Sequence, residues 1–238
     1  MNLQSDTKIN DFKKGLYIVS TPIGNLQDIT LRAIKILKNS DFILCEDTRV
    51  SKKLLSNFNI RGNLISNHKF NEKKNVNKIV NILKSNKIVS MISDAGTPTI
   101  SDPGYRLIRQ AHVEKITVTS IPGPSSVINA LSASGLPTDH FYFEGFLPRK
   151  KGRLTRFKFL ASLPATIVVF ESPLRLIKTL KDIDKYFGSR IVCVCREMTK
   201  MHEEIFRGSI WKTLNHFQNK SSIKGEVVIL IAKEGYDD

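Results

Sequence analysis

A polar loop rich in glycine, proline, serine and aspartate follows an apolar run in the first half of the chain. The loop covers residues 93–104, the run covers residues 88–92, and a helical pattern continues from Tyr105 to about His112. Open α/β sheets bind their ligands in such loops, outside the carboxyl ends of the strands. The loop offers two carboxylates and four hydroxyls, carries no basic residue, and includes a glycine that admits close approach to the backbone. This chemistry suits a polar neutral or cationic small molecule better than a polyphosphate.

Other predicted strands also end in polar segments, namely residues 21–25, 46–49, 67–68 and 122–126. In a parallel sheet these segments would meet loop 93–104 at one edge. The sequence lacks both the GxxxxGK[ST] and the GxGxxG fingerprints, which argues against a P-loop NTPase and a standard dinucleotide site. It also lacks a GxSxG elbow, so nucleophilic hydrolysis is not indicated. We therefore predict a small-molecule site at this edge, built without a phosphate cradle.

The chain is strongly basic, and many of its cations lie in one short segment. The net charge is +15, from 37 Lys and Arg against 22 Asp and Glu, which favours an anionic partner such as nucleic acid. A biased genomic base composition is the alternative explanation, because the chain is rich in Lys, Asn and Ile. Segment 149–158 contains six cations and no acid, and Phe157 interrupts it. We predict that it contacts nucleic-acid phosphates through Arg149, Lys150, Lys151, Arg153, Arg156 and Lys158.

Three cysteines, Cys45, Cys193 and Cys195, are too few and odd in number for a disulfide framework. Cys193 and Cys195 alternate in a strand-like run and are interpreted as small buried apolar residues. No CxxC pair or nearby histidine cluster supports a metal site, so none is predicted. No apolar run reaches the roughly 18 residues of a membrane span, and the first residues do not resemble a secretory signal. We therefore expect a cytoplasmic protein without a membrane partner.

Strands and helices alternate along the first part of the chain, which is typical of a parallel sheet. The strands predicted there are residues 16–20, 42–45, 63–66, 88–92 and 116–119. Residues 134–138 break this pattern and are interpreted as a domain boundary. The later strands are residues 141–146, 166–170, 191–195, 203–206 and 225–232, with helices near 153–162, 173–186 and 210–217. The prediction is an α/β fold with an N-terminal extension (1–14), a domain with a mainly parallel sheet and helices on both faces (15–135), and an α/β domain with a mixed sheet (136–238).

Motifs along nearly the whole chain resemble those of the RNA-acting branch of the tetrapyrrole methylase superfamily. They occur in order at residues 16–26, 28–33, 46–49, 93–104, 122–125, 145–148, 171–173, 196–200 and 225–226. Pro22-Ile23-Gly24-Asn25-Leu26 stands where small-molecule members of the superfamily carry a GxGxGD-like loop. The chain departs from the family at Lys69 and Phe70, where members usually have an acidic, histidine-rich stretch after the position of His68.

The resemblance implies two α/β domains that bind S-adenosylmethionine, in a homodimer. It also implies 2′-O-methylation of a cytidine ribose in the decoding region of 16S rRNA, within the small ribosomal subunit. By motif correspondence, cofactor contacts are expected at Ile23, Asp94, Ala95, Gly96, Thr97, Ile100, Ser125, Ser126 and the backbone near Glu171.

A ribose hydroxyl is a poor nucleophile and gains from a positioned base. The catalytic candidates are Glu46, Asp47, Glu197 and Lys200, with His68 as a further possibility. Lys200 would accept a proton if its pKa were lowered and would bind phosphate if it stayed charged. A surface ion pair between Glu197 and Lys200 is the alternative interpretation, and Asp102 is interpreted as a turn-building residue.

Two other functions are weighed against RNA methylation. One is a tetrapyrrole methyltransferase acting on a precorrin or uroporphyrinogen; the first loop and the basic segment argue against it. The other is a non-catalytic RNA-binding protein, which would have no use for loops 93–104 and 122–126.

Overall fold

The computed structural model describes residues 12–237. The chain divides into two compact units, with the boundary between Ser125 and Ser126. The predicted N-terminal extension, residues 1–14, lies mostly outside the described residues. The first unit contains strands β1 (Gly15–Val19), β2 (Phe42–Cys45), β3 (Asn63–Ser66), β4 (Ile88–Met91) and β5 (Val118–Ile121). Its helices are α1 (Leu31–Lys38), α2 (Thr48–Asn57), α3 (Glu72–Lys84) and α4 (Tyr105–Val113).

The first unit is a five-stranded parallel sheet in the order β3-β2-β4-β1-β5. Alternate residues of the central strand β1 enter two different cores. Tyr17 and Val19 pack with side chains of α1 and α2 on one face, whereas Leu16 and Ile18 pack with side chains of α3 and α4 on the other. Strands that are buried on both faces consist of nearly continuous apolar residues, so these strands could be predicted from the sequence. The predicted parallel sheet with helices on both faces is confirmed.

Helix α2 is an element that the sequence analysis did not predict. It begins at Thr48, inside the segment 46–49 that was interpreted as a loop, and Asp47 caps it by accepting a hydrogen bond from the Arg49 N–H at 2.8 Å. Ser51 and Leu55 are the residues of this helix that are buried. Its apolar face is therefore narrow, and periodicity alone gives a weak signal.

The second unit contains strands β6 (Phe141–Phe146), β7 (Thr166–Glu171), β8 (Ile191–Arg196), β9 (Glu204–Ser209) and β10 (Val227–Ile231). Its helices are α5 (Ser126–Ser134), α6 (Arg153–Ala161), α7 (Leu176–Phe187) and α8 (Ile210–Gln218). The strand order is β6-β7-β10-β8-β9; the β6–β7 pair is parallel and the other neighbours are antiparallel. The predicted mixed sheet is confirmed.

The core of the second unit lies between its sheet and helices α6, α7 and α8. Val192 and Val194 of β8 point into this core, and the alternating Cys193 and Cys195 are buried free thiols with sulfur atoms 3.9 Å apart. Helix α5 packs against β8, β9 and β10. The break at residues 134–138, interpreted from the sequence as a domain boundary, follows this helix. No helix in the described part of the chain has the length and apolarity to cross a membrane.

Candidate functional site

Three loops are tied together at the carboxyl edge of the first sheet. Thr21 and Gly96 exchange backbone hydrogen bonds of 2.9 and 3.0 Å, which joins the loops after β1 and β4. The Thr97 hydroxyl donates to the Pro124 carbonyl at 3.0 Å, so the Ser20 hydroxyl, 2.9 Å away, donates to Thr97. Because β1 lies between β4 and β5, these contacts join loops from adjacent strands. They lie outside the carboxyl ends of the strands, where open α/β sheets bind their ligands.

The structure brings most of the expected cofactor residues of the first unit to this edge. Gly96 adopts φ +78°, and a Cβ atom there would lie 3.3 Å from Cγ2 of the buried Ile23. Asp94 and Ala95 are exposed beside it, and Ile100 is exposed farther along the same loop. Glycine is thus required at residue 96 both by its backbone conformation and by close packing on Ile23.

The remaining expected cofactor residues lie elsewhere along the chain. Ser125 and Ser126 are half-buried at the start of α5. Glu171, in the second unit, is buried at the end of β7. Its carboxylate accepts hydrogen bonds from the Ser172 N–H and the Thr179 hydroxyl, each at 2.6 Å, and pairs with an arginine of the same unit. The side chain of Glu171 is therefore engaged in contacts within the second unit, and the expected ligand contact from the backbone near it stays a prediction.

Three carboxylates gather where β2 and β4 end. The Asp47 N–H donates to Asp94 Oδ1 at 3.1 Å and brings the end of β2 to loop 93–104. Burial raises the pKa of Glu46, and the charges of Asp102 and Asp94 raise it further, while His68 acts in the opposite direction. Burial and Asp94 also raise the pKa of Asp102, against a hydrogen bond from a serine hydroxyl. The pKa values of Glu46 and Asp102 are therefore both raised above those of free carboxyl groups.

Asp47 differs sharply from its neighbour Glu46. Besides capping α2, its carboxylate forms a bidentate ion pair with the Arg49 guanidinium. Arg49 Nε lies 3.1 Å from Oδ1 and Nη2 lies 2.7 Å from Oδ2. These hydrogen bonds lower the pKa of Asp47 to about 2. A carboxylate of that acidity is a weak base.

The residues after β3 form the neighbouring part of this edge. Asn67 is 4% exposed, its N–H donates to the Cys45 carbonyl at 2.8 Å, and neither side-chain Nδ2 nor Oδ1 has a partner among the described residues. The buried Glu72 accepts hydrogen bonds from the Gly104 and Arg106 N–H groups at 3.1 and 2.9 Å. The sequence places residues 67–68 among the strand-end segments at this edge but gives the Asn67 side chain no specific role.

Glu197 and Lys200 form a compact ionic network after β8. Lys200 Nζ lies 2.9 Å from Glu197 Oε1 and 3.0 Å from Glu226 Oε2, and Glu197 Oε1 also accepts the Glu226 N–H at 2.9 Å. Lys200 lowers the pKa of Glu197. Partial burial lowers the pKa of Lys200, but its hydrogen bonds to the two carboxylates outweigh this and raise it. The lysine is therefore held as a cation. The ion pair that the sequence left as an alternative is present.

The six cations of the basic segment divide into two groups. Arg153 donates to Asp182 at 2.8 Å, to the Thr179 hydroxyl and to a main-chain carbonyl, and Arg156 forms an ion pair with Glu144. These acids lie on α7 and β6, which explains why the local sequence showed none. The other four side chains are exposed: Arg149, Lys150, Lys151 and Lys158. No cluster of His, Cys, Asp and Glu among residues 12–237 has the arrangement of a metal site.

Comparison with known proteins places this geometry in a family. The model of the tetrapyrrole (corrin/porphyrin) methylases matches residues 15–212. Ribosomal RNA small subunit methyltransferase I of Thermotoga maritima is 47% identical over 92% of this chain and 99% of its own length. The protein of the same name from Rickettsia prowazekii is 48% identical over 92% of this chain and 79% of its own length.

Solved structures show the same fold at much lower identity. Uroporphyrin-III-C-methyltransferase from Thermus thermophilus superposes with a TM-score of 0.62 at 16% identity, covering 93% of this chain and 95% of that one. The cobalt precorrin-4 methyltransferase of cobalamin biosynthesis superposes with a TM-score of 0.62 at 20% identity. The superposition covers 91% of this chain and 94% of that one. Taken with the sequence relatives, these matches establish that the chain belongs to the tetrapyrrole methylase family and, within it, to the ribosomal RNA small subunit methyltransferases I.

Proposed function

We propose that this methyltransferase transfers the methyl group of S-adenosylmethionine to the 2′-oxygen of a cytidine ribose in the decoding region of 16S rRNA. The observation that carries the proposal is the 47% identity along 99% of the Thermotoga maritima relative, whose name gives small-subunit ribosomal RNA as its substrate. The basic segment supports it, and so do the loops at the carboxyl edge of the first sheet, whose carboxylates favour a cationic ligand. Action on ribosomal RNA in turn supports a cytoplasmic location, and the family resemblance supports a homodimer.

The edge of the first sheet fits the proposed cofactor chemically. S-adenosylmethionine carries a cationic sulfonium and supplies an activated methyl group. The exposed carboxylate of Asp94 favours a cation, and Gly96 has no side chain to keep a ligand away from the main chain of the loop. The proposed contacts are those expected from the motifs: Ile23, Asp94, Ala95, Gly96, Thr97, Ile100, Ser125, Ser126 and the backbone near Glu171.

The proposed role of the protein in the reaction is alignment, deprotonation and RNA binding. Methyl transfer is an in-line displacement, so holding the ribose oxygen and the methyl carbon in line supplies much of the rate enhancement. A carboxylate removes the hydroxyl proton. Lys200, held as a cation, is suited to contact a phosphate, and the exposed cations of segment 149–158 provide further phosphate contacts.

The test is transfer of tritiated methyl from S-adenosylmethionine to small ribosomal subunits that lack their native methylation, followed by nucleoside analysis. We expect tritium in a 2′-O-methylated cytidine. Naked 16S rRNA and a uroporphyrinogen, assayed in parallel, identify the acceptor. Transfer to the tetrapyrrole alone would refute the proposal, and cofactor binding without transfer to any acceptor would also count against it. RNA binding without cofactor binding would indicate a non-catalytic RNA-binding protein.

A further inference from the structure

We propose that Glu46 is the base that accepts the proton of the ribose hydroxyl, that the charge of Asp102 tunes it, and that the Asn67 amide beside it binds the same substrate. This inference rests on the proposed function and selects one of four catalytic candidates. It also gives a part in the chemistry to Asp102 and Asn67, which the sequence placed only in a turn and in a polar segment at the edge of the sheet. Each step depends on residues of the first unit.

The first step is the placement of Glu46 and Asn67 side by side. β2 and β3 pair in parallel with Cys45 opposite Ser66, so Glu46 and Asn67 are the next residues on each strand. The hydrogen bond from the Asn67 N–H to the Cys45 carbonyl continues the ladder to this point. Paired positions project on the same face of a sheet. Asn67 therefore lies next to Glu46 at the carboxyl edge.

The second step is the hydrogen-bonding state of Asn67. Asn67 is 4% exposed, and neither the donor nor the acceptor of its buried side-chain amide has a partner among the described residues. An unsatisfied buried polar atom costs about 1–3 kcal/mol, so native proteins keep few of them. An amide presents a donor and an acceptor side by side. We infer that this pair serves the hydroxyl-bearing substrate bound beside Glu46.

The third step is the charge around the four candidates. Glu46 faces Asp102 and Asp94 from loop 93–104 and His68 from the segment after β3. Burial and the two carboxylates raise its pKa, whereas the pKa values of Asp47 and Glu197 are lowered and that of Lys200 is raised. A base works best when its pKa lies near the operating pH. Among the candidates, Glu46 is the one whose surroundings move it in that direction.

The reaction balances with one proton acceptor. The ribose oxygen forms a bond to the methyl carbon while the carbon–sulfur bond breaks. The sulfur keeps that electron pair and becomes a neutral thioether, and the hydroxyl proton moves to the Glu46 carboxylate. In this step Asp102 acts on Glu46 through its charge.

The decisive experiment measures kcat, KM and their pH dependence on hypomethylated subunits for the wild type and the Glu46→Gln, Glu46→Asp and Asp102→Asn variants. We expect Glu46→Gln to lose about 10²- to 10⁴-fold in kcat, the usual contribution of a general base, with cofactor and RNA affinities unchanged. Glu46→Asp keeps a carboxylate and should recover part of the rate. Asp102→Asn removes a neighbouring negative charge, so the pKa of Glu46 falls and the acid limb of the kcat profile moves to lower pH.

Glu114→Gln is the matched control, because it removes a carboxylate at the opposite end of α4. It should leave both kcat and the pH profile unchanged. Full activity in folded Glu46→Gln would overturn the assignment of the base. An unmoved acid limb in Asp102→Asn would overturn the role of Asp102, and if that variant does not fold, the Gln and Asp variants of Glu46 still decide the assignment. A wild-type enzyme inactive on every RNA would instead refute the proposed function.

Discussion

Gly225 occupies a position that no other residue can fill without dismantling the ionic network after β8. Its φ is +92°, and a Cβ atom there would overlap Cδ, Cγ and Oε1 of Glu197. Glu197 itself has φ +50°, so the loop after β8 already contains a non-glycine residue in the left-handed region. We predict that Gly225→Ala destabilises the protein by forcing the Glu197 carboxylate away from the Glu226 N–H and from Lys200.

The magnitude follows from two contributions. A positive φ costs a residue with a side chain about 1–2 kcal/mol. Loss of a charge-assisted hydrogen bond such as that between Glu197 and the Glu226 N–H costs about 1.5–3 kcal/mol. The pair with Lys200 adds about 0–1 kcal/mol, because it is partly solvated. The expected total is about 3–6 kcal/mol, a large part of a typical unfolding free energy of about 5–15 kcal/mol.

The assay is chemical and thermal unfolding of Gly225→Ala beside Gly152→Ala. Gly152 also has a positive φ, +78°, but a Cβ atom there meets nothing within 4 Å, so this control isolates the backbone contribution. We expect Gly225→Ala to lose about 2–4 kcal/mol more than the control. When Glu197 is also replaced by alanine, the two glycine variants should lose nearly the same unfolding free energy. Equal destabilisation of the two glycine variants would refute the steric argument.

Three further predictions concern other carboxylates and the basic segment. Glu72→Gln, which weakens the acceptor for two amides at the start of α4, should cost about 1–3 kcal/mol of unfolding free energy, measured by urea denaturation. Burial opposes ionisation of Glu204, but three basic partners lower its pKa to about 2, so its stabilisation is complete above pH 4.5 and is lost as the pH falls toward 2. Glu204→Gln should therefore flatten the acid side of the stability–pH curve, and an unchanged slope would count against this pairing. Lys158→Ala should weaken RNA binding and reduce its salt dependence by about one phosphate contact without lowering the Tm. Arg153→Ala should instead lower the Tm, because this side chain is bound to Asp182, and the reverse pattern would contradict the division of the segment.

The sequence was sufficient for most of the fold because its strands are short apolar runs separated by turn residues. β2, β3 and β6 have the predicted bounds, and the other predicted strands overlap the observed ones. β5 begins at Val118 rather than residue 116 because Ile116 packs at the edge of the core before the ladder starts. α2 was missed because few of its side chains are buried, so its apolar pattern is too sparse to identify a helix.

The chemistry of the site was less accessible, because it depends on groups distant in the chain. Nothing near Lys200 in the sequence shows that Glu226 would hold it charged, and the partners of Arg153 and Arg156 come from other elements. The pKa of Glu46 depends on Asp102, which local sequence rules interpret as a turn residue. Residue types indicated which side chains could act, whereas their protonation depends on tertiary contacts.

Loop 93–104 is fastened near both ends, and this limits how it can move. Gly96 is bonded to Thr21 and Thr97 to Pro124 at one end, and the Gly104 N–H is held by Glu72 at the other. Between these anchors lie Thr99 and Ser101 at φ +73° and +70°. The side chain of Asp102 is also tied back to the start of the loop by its hydrogen bond with Ser93. A ligand at this edge therefore meets main chain whose position is set by the residues that follow β1 and β5 and by α3.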